Sequence, residues 1–348
     1  MQTKPNVLIV YTGGTIGMIK DLKTDELKAF DFKHIYEHVP ELQRLNVELT
    51  ATSFEQPVDS SEINKEHWAR MAKTVFENYE QYDGFVILHG SDTMAYTASA
   101  LSFMLQGLKK PVILTGSQLP IGTIRTDGKE NLITAIEIAA AKENGQSIIQ
   151  EVAVYFEYSL YRGNRCSKVS ANQFEAFKSP NHSELAIAGV TINFAYEQLW
   201  RTKHSLPILA TRMSNEVGLL KLFPGINTDL FTGLFDATQT KGLVIETYGS
   251  GNAQSEARLQ ANLKQYTEAG GIVLNITQCS SGSVVQGKYE TSTFFNTIGV
   301  VSGGDMTTEA ALAKLMYLIG CDYSREEIIQ KLSENIVGEI SLPNLKNN

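Results

Sequence analysis

The stretch Thr12-Gly13-Gly14-Thr15-Ile16-Gly17 follows directly on the apolar run Val7-Leu8-Ile9-Val10-Tyr11 near the N-terminus. The apolar run predicts a buried β-strand, and the glycines predict a tight turn at its end that presents two threonine hydroxyls. In an open α/β sheet, ligands bind in the crevice beyond the carboxyl ends of the strands. Thr15 is therefore placed to contact a substrate and is a candidate nucleophile.

Strand-like and helix-like segments alternate through the first half of the chain. Ser61–Glu80 carries its apolar side chains at helical spacing, which predicts a helix packed on a sheet, with N-cap candidates in Asp59-Ser60-Ser61. This alternation predicts an α/β fold with a mostly parallel sheet. Compact apolar runs predict its strands at Val7–Tyr11, Phe85–Leu88, Val112–Thr115 and Val152–Phe156.

A second α/β unit follows an irregular segment. Residues 197–215 have mixed charge and no clear hydrophobic period, which predicts a linker between an N-terminal domain, 1–196, and a C-terminal domain, 216–348. The C-terminal domain is predicted to contain strands at Val217–Leu222, Leu243–Thr247 and Ile272–Ile276, and helices at Ser255–Ala269, Thr307–Ile319 and Arg325–Ile336.

Charge, hydrophobic stretches and cysteine spacing argue against several classes of partner and location. The 348 residues are 43% hydrophobic and 20% charged, with a formal net charge of -8 that argues against a nucleic acid or an anionic membrane as partner. No stretch approaches the roughly 20 apolar residues of a membrane helix, and no secretory signal is recognised. Three widely spaced cysteines favour a reduced, cytoplasmic location. They are Cys166, Cys279 and Cys321.

Polar loops follow several of the predicted strands. One such loop is normally a helix cap, but together they would line one edge of one sheet with hydroxyls and charges, which indicates a catalytic or binding site. The five segments are Thr12–Gly17, Gln56–Ser61, His89–Thr93, Thr115–Gln118 and Tyr161–Lys168.

Four familiar catalytic and nucleotide-binding motifs are absent or poorly matched. Thr12 stands where a dinucleotide fingerprint needs its first glycine, and no Walker A sequence is present. His34-Ile35-Tyr36-Glu37-His38 matches a zinc-peptidase pattern, but without an obvious third carboxylate ligand a surface helix is the better interpretation, so no metal site is expected. A Ser-His-Asp triad also lacks support, because His89 adjoins the Ser91-Asp92 loop but there is no Gly-x-Ser-x-Gly elbow, and we expect a packed, hydrogen-bonded histidine there. A hydroxyl nucleophile would then need a lysine or tyrosine as base.

Several of these segments resemble one known family. Thr12–Gly17, the run His89-Gly90-Ser91-Asp92-Thr93-Met94-Ala95-Tyr96-Thr97, and Tyr161–Arg165 with Lys168 are similar to the L-asparaginases of the bacterial type, in their cytoplasmic, type I branch. The similarity continues in chain order through Tyr248–Asn252, Thr277–Cys279 and Gly304–Ala310, so it covers nearly the whole chain.

The resemblance implies a larger, flavodoxin-like N-terminal domain, a smaller C-terminal α/β domain, and a homodimer or homotetramer. It also implies hydrolysis of L-asparagine to L-aspartate and ammonia without metal or cofactor. Thr15 would be the primary nucleophile, and Ser91 would act with Lys168 as its base and Asp92 beside it. Substrate binding is implied for Asp59, Ser60, Ser91, Asp92, Ser117 and Asn252.

Three positions depart from the family pattern. Ser91 replaces the usual threonine, which keeps the hydroxyl but loses the β-branching that stiffens χ1. The loop Met18–Phe32 has no tyrosine, and the resemblance to some animal-type relatives points instead to Tyr289 as the group that polarises Thr15. Glu246 stands near the place of a basic residue in the allosteric site of some type I relatives, and its carboxylate would repel an effector carboxylate. We therefore expect no activation by asparagine.

Other functions remain open at this point. A glutaminase-asparaginase, or another amide or ester hydrolase on the same scaffold, fits the same residues, because one methylene changes discrimination by only about 1–3 kcal/mol. An amidase subunit that works beside a tRNA-amidating partner would carry an added N-terminal domain. A non-enzymatic amino-acid-binding protein would keep the pocket without turnover.

Overall fold

The computed structural model describes residues 4–20, 27–29, 39–287 and 290–341. The chain forms two compact units, Met1–Thr211 and Arg212–Asn348. The boundary between them falls inside the segment 197–215. Within that segment Ile208–Leu209 still belongs to the first unit, because it pairs with Leu105–Gln106.

An eight-stranded sheet organises the first unit. In chain order its strands are β1 Asn6–Tyr11, β2 Glu48–Ser53, β3 Gly84–Leu88, β4 Val112–Thr115, β5 Val152–Phe156, β6 Ser159–Arg162, β7 Ala186–Ala188 and β8 Ile192–Phe194. Their spatial order is β8-β7-β6-β5-β4-β3-β1-β2. Pairing is parallel from β5 to β2 and antiparallel from β5 to β8. This confirms the predicted α/β class with a mostly parallel sheet.

The parallel centre of this sheet is the part that the apolar runs predict. Strands β3, β4 and β5 are buried at every residue, as expected for strands covered on both faces. Strand β2 was not predicted, because it lies at the edge of the sheet, is mostly exposed and has a polar sequence. The antiparallel strands β6 to β8 were not predicted either, since they are short and carry no long apolar run.

The first unit has three described α-helices: α1 Lys65–Glu77, α2 Met94–Met104 and α3 Gly128–Ala140. The predicted start of the first helix at Ser61 is wrong. Asn64 is the N-cap, because its side chain accepts from the backbone N–H groups of Glu66 and His67 at 3.1 and 3.2 Å. The predicted cap residue Asp59 instead caps the short 3-10 helix Ser60–Glu62.

The second unit is built around a four-stranded parallel sheet in chain order, β9-β10-β11-β12. Its strands are β9 Val217–Lys221, β10 Gly242–Thr247, β11 Ile272–Thr277 and β12 Val301–Ser302, and its α-helices are α4 Ala257–Glu268, α5 Glu290–Thr297, α6 Thr308–Gly320 and α7 Arg325–Leu332.

The last predicted helix is too long by four residues. It ends at Leu332 rather than at Ile336, because Glu339 accepts the backbone N–H groups of Ile336 and Val337 and draws the chain into a turn. The same carboxylate pairs with Lys314 at 2.7 Å with both side chains fully buried.

No helix of the described ranges has both the length and the apolar character that a bilayer span requires.

The described residues also form short two-stranded ladders and 3-10 helices. Two-residue to three-residue ladders pair Met18–Lys20 with Leu27–Ala29, Lys142–Glu143 with Gln146–Ser147, and Ser167–Lys168 with Phe177–Lys178. The 3-10 helices within the described residues are Thr15–Gly17, Pro40–Arg44, Ser60–Glu62, Tyr196–Gln198 and Thr228–Phe235.

Candidate active site

Two glycines of the first loop allow the segments after three neighbouring strands to touch. A Cβ atom on Gly13 would lie 2.1 Å from the carbonyl oxygen of Val58, and one on Gly14 would lie 2.4 Å from the backbone nitrogen of Gly90. Both glycines also have positive φ, at 137° and 86°. The turn after β1 therefore packs backbone to backbone against the loops after β2 and β3, which only glycine permits at these positions.

The two hydroxyls of the first loop have different surroundings. Thr12 is buried, and its hydroxyl donates to the carbonyl of Leu88 at 2.9 Å, which ties the end of β1 to the end of β3. Thr15 is half-buried and begins the 3-10 turn Thr15–Gly17. Of the two predicted hydroxyls, Thr15 is thus the one with access to a ligand.

The loop after β2 presents a carboxylate beside a buried serine. Oδ1 of Asp59 accepts from both the backbone nitrogen and the hydroxyl of Ser61, each at 2.8 Å, and these bonds lower the pKa of the Asp59 carboxyl below its usual value. The carbonyl of Ser60 accepts from the Thr93 hydroxyl at 2.7 Å. Asp59 is therefore a fixed negative charge held next to the loop after β3.

His89 orders that loop without acting as a catalytic base. Its Nδ1 donates to the carbonyl of Gly90 at 2.7 Å, and its Nε2 accepts from the Thr97 hydroxyl at 2.9 Å. The Thr97 hydroxyl in turn accepts from the Trp68 indole N–H at 3.0 Å. This chain fixes a neutral imidazole. Complete burial lowers its pKa to about 4. The expectation of a packed, hydrogen-bonded His89 is confirmed.

A lysine, a serine and an aspartate meet at the end of β3. Nζ of Lys168 lies 2.8 Å from Oγ of Ser91 and 2.6 Å from Oδ1 of Asp92. The Ser91 residue is only 9% exposed and the Lys168 side chain 15% exposed, whereas the Asp92 side chain is 70% exposed. A hydroxyl in contact with a shielded amine can exchange a proton with it, which is the arrangement that an activated hydroxyl needs.

Lys168 reaches this place by a route that the sequence did not predict. The segment Tyr161–Lys168 does not directly follow β5 on the same edge of the sheet. Arg162 ends the antiparallel strand β6 and pairs with Ala153 at the start of β5. The chain then forms the separate ladder of Ser167–Lys168 with Phe177–Lys178, and that ladder brings Lys168 to the loop after β3.

The loop after β4 supplies one side chain that was not assigned a role from the sequence. Ser117 was predicted to bind substrate, but its hydroxyl donates within its own loop to the carbonyl of Leu119 at 2.6 Å. Its neighbour Gln118 faces Ser91 instead, since Oε1 of Gln118 accepts from the Ser91 hydroxyl at 3.1 Å. Both lie in a predicted polar loop, and nothing in the residue types distinguishes which one points inward.

Two further predicted residues belong to the second unit. Asn252 lies in the turn after β10, where its backbone bridges to Tyr248. Tyr289 lies outside the described residues, as do His34 and His38 of the zinc-peptidase pattern. Among the residues that the structure describes, no three His, Cys, Asp or Glu side chains are grouped to hold a metal ion.

Family models match both units. Residues 6–200 match the model described as "Asparaginase, N-terminal", and residues 216–332 match the "Glutaminase/Asparaginase C-terminal domain". The chain belongs to the asparaginase family. The resemblance inferred from the sequence is therefore confirmed.

Several known proteins are similar to this chain over their whole length or a large part of it. L-asparaginase 1 of Escherichia coli K12 is 38% identical, covering 97% of this chain and 98% of that protein. A human 60 kDa lysophospholipase is 38% identical, covering 98% of this chain and 62% of that protein. The crystal structure of L-asparaginase I from Vibrio cholerae superimposes with a TM-score of 0.88 at 38% identity, covering 97% of this chain and all of that one.

The contact of Gly14 with Gly90 predicts an effect of Gly14→Ala on stability. Gly145 is the matched control, since it has a similar φ of 80° but no atom within 4 Å of a built Cβ. Both substitutions strain the backbone, but only Gly14→Ala adds a steric clash, worth about 1–3 kcal/mol more in the free energy of unfolding. Chemical denaturation of both variants measures the difference. Equal losses at the two positions would contradict the packing described.

The buried His89 predicts a dependence of stability on pH. Its pKa of about 4 in the folded state lies below the ordinary value of 6.5, so the unfolded chain binds a proton first and stability falls as pH drops from about 6.5 to 4. His89→Asn should reduce this loss by about 3 kcal/mol at most, measured by urea unfolding across that range. The control is His204→Asn at an exposed site, and parallel curves for wild type and His89→Asn would refute the assignment.

Proposed function

We propose that this chain hydrolyses the side-chain amide of L-asparagine to L-aspartate and ammonia. The observation that carries the proposal is the contact of Lys168 with Ser91 and Asp92 at 2.8 and 2.6 Å, beside the loop of Thr15. Membership of the asparaginase family and the similarity to L-asparaginase 1 of E. coli support it.

Recognition of the substrate follows from its charges. An amino-acid zwitterion needs a carboxylate for its ammonium group and hydroxyl or N–H donors for its carboxylate. Asp59 and Asp92 offer exposed carboxylates near Ser60 and Ser91. Asp59 is charged at neutral pH, and the hydrogen bonds from Ser61 lower its pKa further, so its carboxylate suits the ammonium group. The family resemblance adds Ser117, through its loop, and Asn252 as further contacts.

The reaction begins with attack by the Thr15 hydroxyl on the amide carbon. The oxygen–carbon bond forms, the amide carbonyl becomes an oxyanion, and the hydroxyl proton passes to the amide nitrogen. Collapse of the intermediate breaks the carbon–nitrogen bond, releases ammonia and leaves an aspartyl ester on Thr15. Water then cleaves the ester and restores the hydroxyl. Backbone N–H groups of the loop Gly90–Asp92, at the entry to α2, are the proposed donors to the oxyanion.

Proton transfer during these steps is assigned to two side-chain systems. The Ser91–Lys168 pair provides a hydroxyl in direct contact with an amine, and Asp92 keeps the amine in place through its ion pair. Tyr289 is proposed to polarise Thr15, on the basis of the family resemblance.

L-glutamine is the closest competing substrate. It differs from asparagine by one methylene, which is worth only about 1–3 kcal/mol of discrimination in a pocket. Other amide or ester substrates on the same scaffold are also compatible with a threonine nucleophile, and one similar human protein is a lysophospholipase. An amino-acid-binding protein without turnover would bind asparagine and release no ammonia.

We also propose a cytoplasmic homodimer or homotetramer. Support for the location comes from three free cysteines. Support for assembly comes from the family resemblance and from large exposed apolar side chains in the first unit. These side chains are Ile124, Tyr158, Ile187 and Val190. Sedimentation of the purified protein tests the oligomeric state directly.

The proposed roles predict the activities of a set of variants in an ammonia-release assay. Thr15→Ala and Lys168→Met should each lower kcat about a thousandfold, because they remove the nucleophile and the amine. Ser91→Ala and Tyr289→Phe should lower kcat at least about tenfold. Lys142→Met is the matched control, because Lys142 also forms an ion pair with an aspartate, Asp83, at 2.7 Å. Asp83 precedes the first residue of β3, at the opposite end of that strand from Ser91 and Asp92.

Each result of this assay has a defined meaning. Wild-type turnover of glutamine at a rate similar to asparagine would replace the narrow activity with a glutaminase-asparaginase. Binding of asparagine without ammonia release would overturn hydrolysis altogether. Unchanged kcat for Tyr289→Phe would remove that residue from the mechanism, and a less than tenfold loss for Ser91→Ala would remove the Ser91 hydroxyl.

Glu246 predicts a simple rate law. The carboxylate is buried, and it accepts from the Thr308 hydroxyl at 2.6 Å and pairs with Lys221 at 3.1 Å. Glu246 therefore offers no cation to an effector carboxylate, and its own negative charge opposes binding there. We expect a hyperbolic dependence of the initial rate on asparagine concentration, measured by ammonia release. A sigmoidal curve would contradict the proposed absence of activation.

A further inference from the structure

We propose that Gln118 is a positioning residue that holds the Ser91 hydroxyl in one rotamer against Lys168. The inference rests on the proposed function, because it concerns how the Ser91 oxygen is kept in contact with the Lys168 side chain that the proposed reaction uses. It starts from the contact between Oε1 of Gln118 and Oγ of Ser91 at 3.1 Å, which joins the loop after β4 to the loop after β3.

The orientation of the Gln118 amide is fixed by its other partners. Nε2 lies 3.0 Å from the carbonyl of Gln173 and 3.3 Å from the carbonyl of Ala171. Carbonyl oxygens only accept hydrogen bonds, so the amide nitrogen must face them and the amide oxygen must face Ser91. Gln118 therefore offers Ser91 an acceptor and no donor.

The hydroxyl of Ser91 has one proton, and its partners decide where that proton points. An ammonium group has three donors and no acceptor. When Lys168 is charged against Asp92, the Ser91 oxygen accepts from Lys168 at 2.8 Å and its own proton is directed to Gln118. The two contacts together specify the position of the oxygen as well as the direction of the proton.

Serine needs such a restraint more than threonine does. A β-branched residue is stiff at χ1, whereas the serine hydroxyl can occupy three staggered wells. Gln118 is itself held firmly, because its backbone N–H donates to Oδ2 of the buried Asp127 at 2.8 Å. The hydrogen bond from Ser91 to this fixed acceptor takes the place of the missing methyl group.

Substitution of Gln118 in two backgrounds tests the inference. Gln118→Met keeps the length of the side chain and removes its polar atoms, so kcat should fall about fivefold with KM changed less than about twofold. In the Ser91→Thr background the same substitution should lower kcat less than about twofold, because threonine restrains its own χ1.

A matched control distinguishes an effect on the Ser91 rotamer from loosening of the hairpin formed by Ser167–Lys168 and Phe177–Lys178. The Tyr161 hydroxyl donates to the carbonyl of Phe177 in that hairpin at 3.1 Å and does not bond Ser91. Tyr161→Phe should therefore have the same effect in the wild-type and Ser91→Thr backgrounds. Equal losses from Gln118→Met in both backgrounds, or no loss in either, would overturn the inference while leaving wild-type asparagine hydrolysis intact.

Crystal structures provide a readout that does not depend on turnover. The wild type and the variant that combines Ser91→Thr with Gln118→Met should show a single χ1 conformer at position 91. The Gln118→Met variant alone should show several conformers or a shifted one. One unchanged conformer of Ser91 in Gln118→Met would contradict the proposed role, even if the protein proved not to hydrolyse asparagine.

Discussion

The close approach of Gly14 to Gly90 is the constraint on which the rest of the candidate site depends. A side chain at Gly14 would place its Cβ 2.4 Å from the Gly90 nitrogen, and Gly13 makes a similar contact with Val58. Parallel strands place their loops on one edge of a sheet, but they do not bring those loops into contact. The glycines do so, and they thereby pack the loop of Thr15 against the loops that carry Asp59 and Ser91.

Around that contact, some polar groups form hydrogen bonds that hold the loops in place, and others are proposed to take part in the reaction. Thr12 donates to the carbonyl of Leu88 and His89 to the carbonyl of Gly90, so both residues stabilise the conformation of the loops. Lys168 and Ser91 bond to each other in a shielded place, where a proton can move between them. Burial keeps the His89 imidazole neutral, and its neighbours occupy both ring nitrogens. The proposed mechanism therefore assigns proton transfer to Lys168 and not to this histidine.

Sequence patterns predicted the parallel strands and the polar loops, because apolar runs and glycine turns are local signals. They misplaced the start of α1, since Asp59 and Asn64 are both good N-caps and only the three-dimensional path selects one. The position of Lys168 depends on a two-residue ladder formed by residues about ten positions apart, which leaves no periodic trace. The inward orientation of Gln118 depends on its backbone bond to Asp127, a contact between loop residues that composition does not reveal.

Thr15, rather than Ser91, is proposed to form the covalent intermediate. Both have hydroxyls at the same edge of the sheet, but Ser91 is engaged by Lys168 and Gln118. The most direct measurement mixes the enzyme with saturating asparagine, quenches with acid within a turnover, and maps the aspartyl adduct by peptide mass spectrometry. We predict an adduct on the peptide at Thr15. An adduct on Ser91 with Thr15 unmodified would contradict this claim.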